Sequence, residues 1–109
     1  MAYVSTYAED APSRQEIDAL AGLALLEFGA NWCGHCQGAQ PAIAAAMASH
    51  PNLRHIKVED GPGRRLGRSY RVKLWPTLIF LRDGQEIERL VRPTDAAEIA
   101  AALSRLAVL

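Results

Sequence analysis

Leu25-Leu26-Glu27-Phe28-Gly29-Ala30-Asn31-Trp32-Cys33-Gly34-His35-Cys36 is the stretch whose reading decides the fold. Its first part belongs to Leu23-Ala24-Leu25-Leu26-Glu27-Phe28, a nearly continuous apolar run of the kind expected in a strand covered on both faces. Beyond Trp32 begins a long Ala-rich segment, Cys33 to Ser49, and alanine has the best intrinsic helix propensity. Pro41 lies inside that segment and is expected to kink the helix by removing one backbone hydrogen bond. The two cysteines, three positions apart, therefore fall at a strand-to-helix junction.

Upstream, Ser13-Arg14-Gln15-Glu16 has the form of a capping box, which predicts a first helix running to about Ala21 and stopped by Gly22. Tyr3-Val4-Ser5-Thr6-Tyr7 alternates weakly and predicts an edge strand. Downstream, His50-Pro51-Asn52 breaks the chain before a strand from Leu53 to Val58. Gly61-Pro62-Gly63 reads as a loop and Arg64 to Tyr70 as a short helix. Thr77-Leu78-Ile79-Phe80-Leu81 is a strand, Asp83-Gly84 a hairpin turn, and Glu86 to Val91 the returning antiparallel strand. A last helix starts at Thr94 or Asp95, with Glu98 placed to complete a cap. It buries Ile99, Ala102, Leu103 and Leu106 at helical spacing. The order β-α-β-α-β-α-β-β-α predicts an α/β fold with a mixed central sheet flanked by helices, in one domain spanning residues 1–109.

Half of the 109 residues are hydrophobic, enough for a core without metal or disulfide staples. Twelve basic residues balance twelve acidic ones with no long like-charge run, which argues against nucleic acid or an anionic membrane as partner. Met1-Ala2-Tyr3-Val4-Ser5-Thr6 lacks the basic start and apolar stretch of a secretion signal, and no apolar run approaches the ~20 residues that span a bilayer. The expected compartment is the reducing cytoplasm, where a cysteine pair is more often catalytic or metal-binding than a staple.

In the first turn of a helix, Cys33 and Cys36 face the same side at a separation that suits a disulfide. Free amides and the helix dipole favour a thiolate there. Cys33, nearer the exposed end, is the expected nucleophile, and Cys36 the cysteine that resolves the mixed disulfide. Gly34 keeps the turn open. His35, when protonated, adds positive charge that stabilises the reduced pair and makes its disulfide more oxidising. A structural disulfide closing so short a loop constrains little chain entropy. Cys33, Cys36, His50 and His55 also read as C-x2-C-x13-H-x4-H, within zinc-finger spacing. Pro51 breaks any helix shared by the histidines, and the stretch lacks the aromatic and leucine that pack a finger, so no metal is expected and His50 and His55 are read as residues without catalytic duty. Glu27, a lone acid in an apolar strand, either points to solvent or is buried and paired.

The run from Leu25 to Cys36 resembles the active-site strand and helix of the thioredoxin family, and its Gly34-His35 pair and strand acid look most like the catalytic domains of protein disulfide isomerase. Pro41 matches the helix kink of that family, Trp75-Pro76-Thr77 its cis-proline loop and Asp83-Gly84 its hairpin, over roughly residues 20 to 105. The resemblance implies a thioredoxin fold and dithiol–disulfide exchange with protein disulfides through a redox-active Cys33–Cys36 pair, with no cofactor: a cytoplasmic disulfide reductase, with a disulfide oxidant or isomerase, or a non-catalytic binding module of the same fold, as the alternatives. A thioredoxin reductase or another thiol donor would return the pair to the dithiol. It further implies that Pro76 is cis, that Trp75 offers its backbone to an extended substrate, and that Trp32 flanks the nucleophile. Glu27 would lie beneath Cys36 as a proton shuttle with its pKa raised by burial, and Lys57 would be its partner. The chain departs from the family at Arg92-Pro93, where a glycine usually follows the last strand, and at Gln37, where a basic residue is common.

Overall fold

Alternation along the central strand sets the layers. In the computed structural model, which describes residues 3–108, β1 (Leu23–Gly29) turns Ala24, Leu26 and Phe28 to one face of a sheet and Leu25, Glu27 and Gly29 to the other. Met1 and Ala2, part of the N-terminal run considered above for an export signal, and Leu109 lie outside the described residues. The sheet runs β2-β1-β3-β4, with β2 (Arg54–Glu59) parallel to β1, and β3 (Thr77–Arg82) and β4 (Gln85–Val91) antiparallel. The helices α1 (Arg14–Asp18) and α3 (Arg65–Ser69) cover one face. The helices α2 (Gly34–Met47) and α4 (Ala96–Ala107) cover the other, burying Ile43, Met47, Ile99, Leu103 and Leu106 against Leu25, Leu78 and Phe80.

The expected mixed sheet and flanking helices are present, with two corrections to the element order. Tyr3–Tyr7 is not a strand; only Ala8 forms a bridge, to Val58. Its backbone groups are taken by side chains instead of a ladder. The Val4 N–H donates to His55 Nδ1 and the Tyr7 N–H to Asn31 Oδ1, while the Val4 and Ser5 carbonyls accept from Lys57 Nζ. Helix α1 keeps the reciprocal Ser13–Glu16 cap but ends at Asp18, short of Ala21. The chain must turn early to deliver β1 beside the hairpin, where Gly22 N–H donates to Asp83 Oδ1 at 2.8 Å and Asp83 N–H donates to the Gly22 carbonyl at 2.9 Å.

The hairpin itself follows the sequence reading. Asp83 and Gly84 both have positive φ, 50° and 78°, as a two-residue turn matched to strand twist requires. A Cβ at Gly84 would run into the Asp18 carbonyl. Gly84→Ala should therefore cost more than about 2 kcal/mol, the sum of left-handed strain and a backbone clash. A urea midpoint lowered at unchanged slope is the expected result, and an unshifted midpoint would contradict it.

Candidate active site

Cys33 is the N-cap of α2, in extended conformation, and its Sγ accepts the Cys36 N–H at 3.3 Å. A sulfur at this position takes the place of a capping oxygen and faces the free amides of the first turn. Both cysteines are free thiols. Cys33 is 8% exposed and Cys36 0%, so an incoming disulfide can reach only the first. Burial, reinforced by the Cys33 sulfur beside it, pushes the Cys36 thiol up to about 11. His35 and Gly34 lie exposed between the two. They line a groove of about 260 Å³ whose far wall is Arg92, Pro93 and Thr94.

Glu27 is fully buried. Its Oε1 pairs with His55 Nε2 at 2.9 Å, and its Oε2 accepts from the Tyr7 hydroxyl and, at 3.0 Å, from Gln40 Nε2. The Val4 N–H donates to His55 Nδ1 at 2.9 Å, so that nitrogen carries no hydrogen and Nε2 is the donor toward Glu27. Two expectations are corrected here. Lys57 is not the direct partner of Glu27: its Nζ donates to Gln40 Oε1 at 2.5 Å and to two backbone carbonyls, and its charge acts across Gln40. Nor does burial leave the Glu27 pKa raised. Desolvation pushes it up, but the hydrogen bond from His55, the Lys57 charge and the bonds from Tyr7 and Gln40 together hold the carboxyl below its ordinary value. His55, read from sequence as idle, is part of this cluster.

The Trp75–Pro76 peptide bond is cis. Trp75 Nε1 donates to Asp60 Oδ2 at 2.9 Å, and its ring meets that of Trp32 edge-on with centroids 5.7 Å apart. Trp32 is 73% exposed, so it contributes surface and not core. Arg92, with φ 53°, sits where the resemblance leads one to expect glycine; its N–H donates to the Pro76 carbonyl and its Nε to that of Trp75. The zinc-like spacing is not assembled. His50 follows the far end of α2, about 21 Å of helix from the cysteines, and both ring nitrogens of His55 are engaged elsewhere.

Residues 5–105 match the family model described as Thioredoxin. The chain belongs to the thioredoxin family. It is 36% identical over 85 residues to the thioredoxin of Chlamydia trachomatis, covering 78% of this chain and 83% of that one. The structure of thioredoxin 2 from Pseudomonas aeruginosa PAO1 in its reduced form superposes with TM-score 0.85 at 56% identity, over 94% of each chain. Human protein disulfide-isomerase A2 is 39% identical over 87 residues, 74% of this chain but 17% of that protein. Like other thioredoxins, the chain is a dithiol–disulfide oxidoreductase. Among the described residues no helix is long and apolar enough to cross a membrane.

Tyr7, Gln40, His55 and Asp60 escaped the sequence reading. For His55 a signal was available: it is two residues from Lys57 on the same strand and so shares the face that Glu27 occupies. Since folding lowers the Glu27 pKa from 4.5, the carboxylate adds stability above that value and loses it as pH falls through the folded-state pKa. Urea unfolding between about pH 6 and about pH 3 should show a steeper acid loss in the native protein than in Glu27→Gln. Equal slopes would refute the assignment.

Proposed function

We propose that this thioredoxin is a cytoplasmic reductase of protein disulfides, re-reduced by a thioredoxin reductase or another thiol donor. The observation that carries the reading is the asymmetry of two free cysteines at one helix terminus, one reachable and one fully buried. The Cys33 thiolate attacks a substrate sulfur, and the other substrate sulfur leaves with the bonding electrons. Cys36 gives its proton to Glu27 and attacks Cys33 Sγ. The Cys33–Cys36 bond forms and the second substrate thiolate departs. Two electrons pass to the substrate, both from this pair, and no cofactor takes part. Trp32, Trp75 and Pro76 form the surface met by an extended segment of substrate, with Gly34 allowing its approach. Lys57 holds Gln40, and through it Glu27, in place.

A second reading is favoured by His35, which is exposed between the cysteines, and by the likeness to protein disulfide-isomerase A2. A cation there stabilises the thiolate, and the pair then acts as an oxidant or isomerase.

The reduction potential, measured by equilibration with glutathione, separates the two. A value near roughly −270 mV supports the reductase and one near roughly −180 mV the oxidant or isomerase. On either reading, His35→Pro should make the pair more reducing by about 30 mV, the equivalent of ~1.4 kcal/mol. Cys33→Ser should abolish turnover of a disulfide-bonded protein substrate such as insulin. Retained turnover would exclude Cys33 as the attacking sulfur and overturn the exchange mechanism.

A further inference from the structure

Gly29 stands on the same face of β1 as Glu27, one alternation further along, directly beside the resolving cysteine. A Cβ built there would lie 2.6 Å from Tyr7 Cζ, 2.6 Å from Tyr7 Oη and 2.7 Å from Cys36 Sγ. Real Cβ atoms do not approach so closely. The missing side chain is thus the space in which the Tyr7 phenol and the Cys36 thiol meet.

We infer that the Tyr7 hydroxyl, seated over Gly29, carries the proton of the Cys36 thiol to the Glu27 carboxylate. The inference rests on the reading of Glu27 as the proton acceptor and names the route.

The surrounding donors fix the direction of the hydroxyl. Tyr7 Oη donates to Glu27 Oε2 and accepts from Gln40 Nε2 at 3.3 Å, which leaves one lone pair for a further donor, and Cys36 Sγ borders the same space over Gly29. Among the described residues, the other titratable groups bonded into this cluster offer no alternative route. On β2, His55 presents a donor to Glu27, and Lys57 is itself a donor. On the N-terminal segment, the Tyr3 hydroxyl is turned to Gln40 Oε1. Burial and the Glu27 charge raise the pKa of Tyr7 well above the usual phenol range, so the phenol passes one proton on as it takes another and is never left as phenolate. In the step, Cys36 Sγ–H protonates Oη while Oη–H protonates Oε2. The Cys36 thiolate then attacks Cys33 Sγ of the mixed disulfide. The Cys33–Cys36 bond forms, the Cys33–substrate bond breaks, and the departing substrate sulfur takes its proton from water.

Reduced protein mixed with Ellman's reagent releases one thionitrobenzoate when Cys33 attacks and a second when Cys36 resolves, so stopped flow reads the two steps separately. Tyr7→Phe keeps the ring that fills the space and removes only the hydroxyl. Its second phase should slow about tenfold or more at neutral pH, with the first phase within about twofold of the native protein. Glu27→Gln should slow the same phase, and the double variant should be no slower than the slower single one, because the groups act as a unit. The alkaline limb of the second phase should also move to higher pH in Tyr7→Phe, which a packing role alone would not produce.

A normal second phase in Tyr7→Phe with a slow one in Glu27→Gln overturns the relay and keeps Glu27 as acceptor. Normal second phases in both overturn the acceptor as well. A slow Tyr7→Phe beside a normal Glu27→Gln overturns the link between them. If Tyr7→Phe does not fold, a fluorotyrosine at position 7 keeps the shape and acidifies the phenol; a second phase changed alone supports the relay, and an unchanged one overturns it.

Discussion

A carboxylate cut off from water must be solvated by the protein, and in this chain that requirement organises the molecule around Glu27. Three donors reach its two oxygens, from the N-terminal segment (Tyr7), α2 (Gln40) and β2 (His55). Two of them are held by further bonds: Gln40 by Tyr3, Lys57 and the Cys36 carbonyl, His55 by the Val4 amide. An unpaired charge at this depth would cost several kcal/mol, so the network and the fold stand or fall together.

The cysteine pair shows the opposite treatment of neighbouring atoms. Cys33 caps the helix and keeps a little exposed surface, whereas Cys36, one turn on, is closed off and held protonated. In the proposed exchange, that division lets one sulfur meet substrate and reserves the other for the first. The loop opposite is fixed by contacts of its own: Asp60 holds the Trp75 indole, and Arg92 spans the Trp75 and Pro76 carbonyls.

What the sequence made legible was local. The Ser13–Glu16 cap, the Asp83-Gly84 turn, the apolar β1 and the cysteines at a helix start all depend on residues within a few positions of one another. The acid in β1 was also legible, because its cost in an apolar strand demanded an explanation. Its partners were not. Tyr7 lies 20 residues before Glu27 and His55 28 after it, and neither stretch carries a motif. The weak alternation of Tyr3–Tyr7 predicted a strand because both tyrosines turn inward. They do so to bond polar groups, with the backbone following the side chains and not a ladder.

That irregular segment has a consequence for self-association. β2 ends the sheet on one side, and its outer backbone groups would be free to template another chain. Ala8 covers them in part, taking the Lys57 carbonyl and giving its own to the Glu59 amide, while Lys57 grips the segment from inside. β4, at the other side, is left uncovered but carries Glu86, Glu88 and Arg89 and a register shift beside Phe80 and Leu81. Fibril-like stacking is thus discouraged on one flank by charge and irregular pairing. On the other it is discouraged by the same few residues that solvate the buried acid, so loss of that segment would expose a sticky sheet margin and flood the redox centre at once.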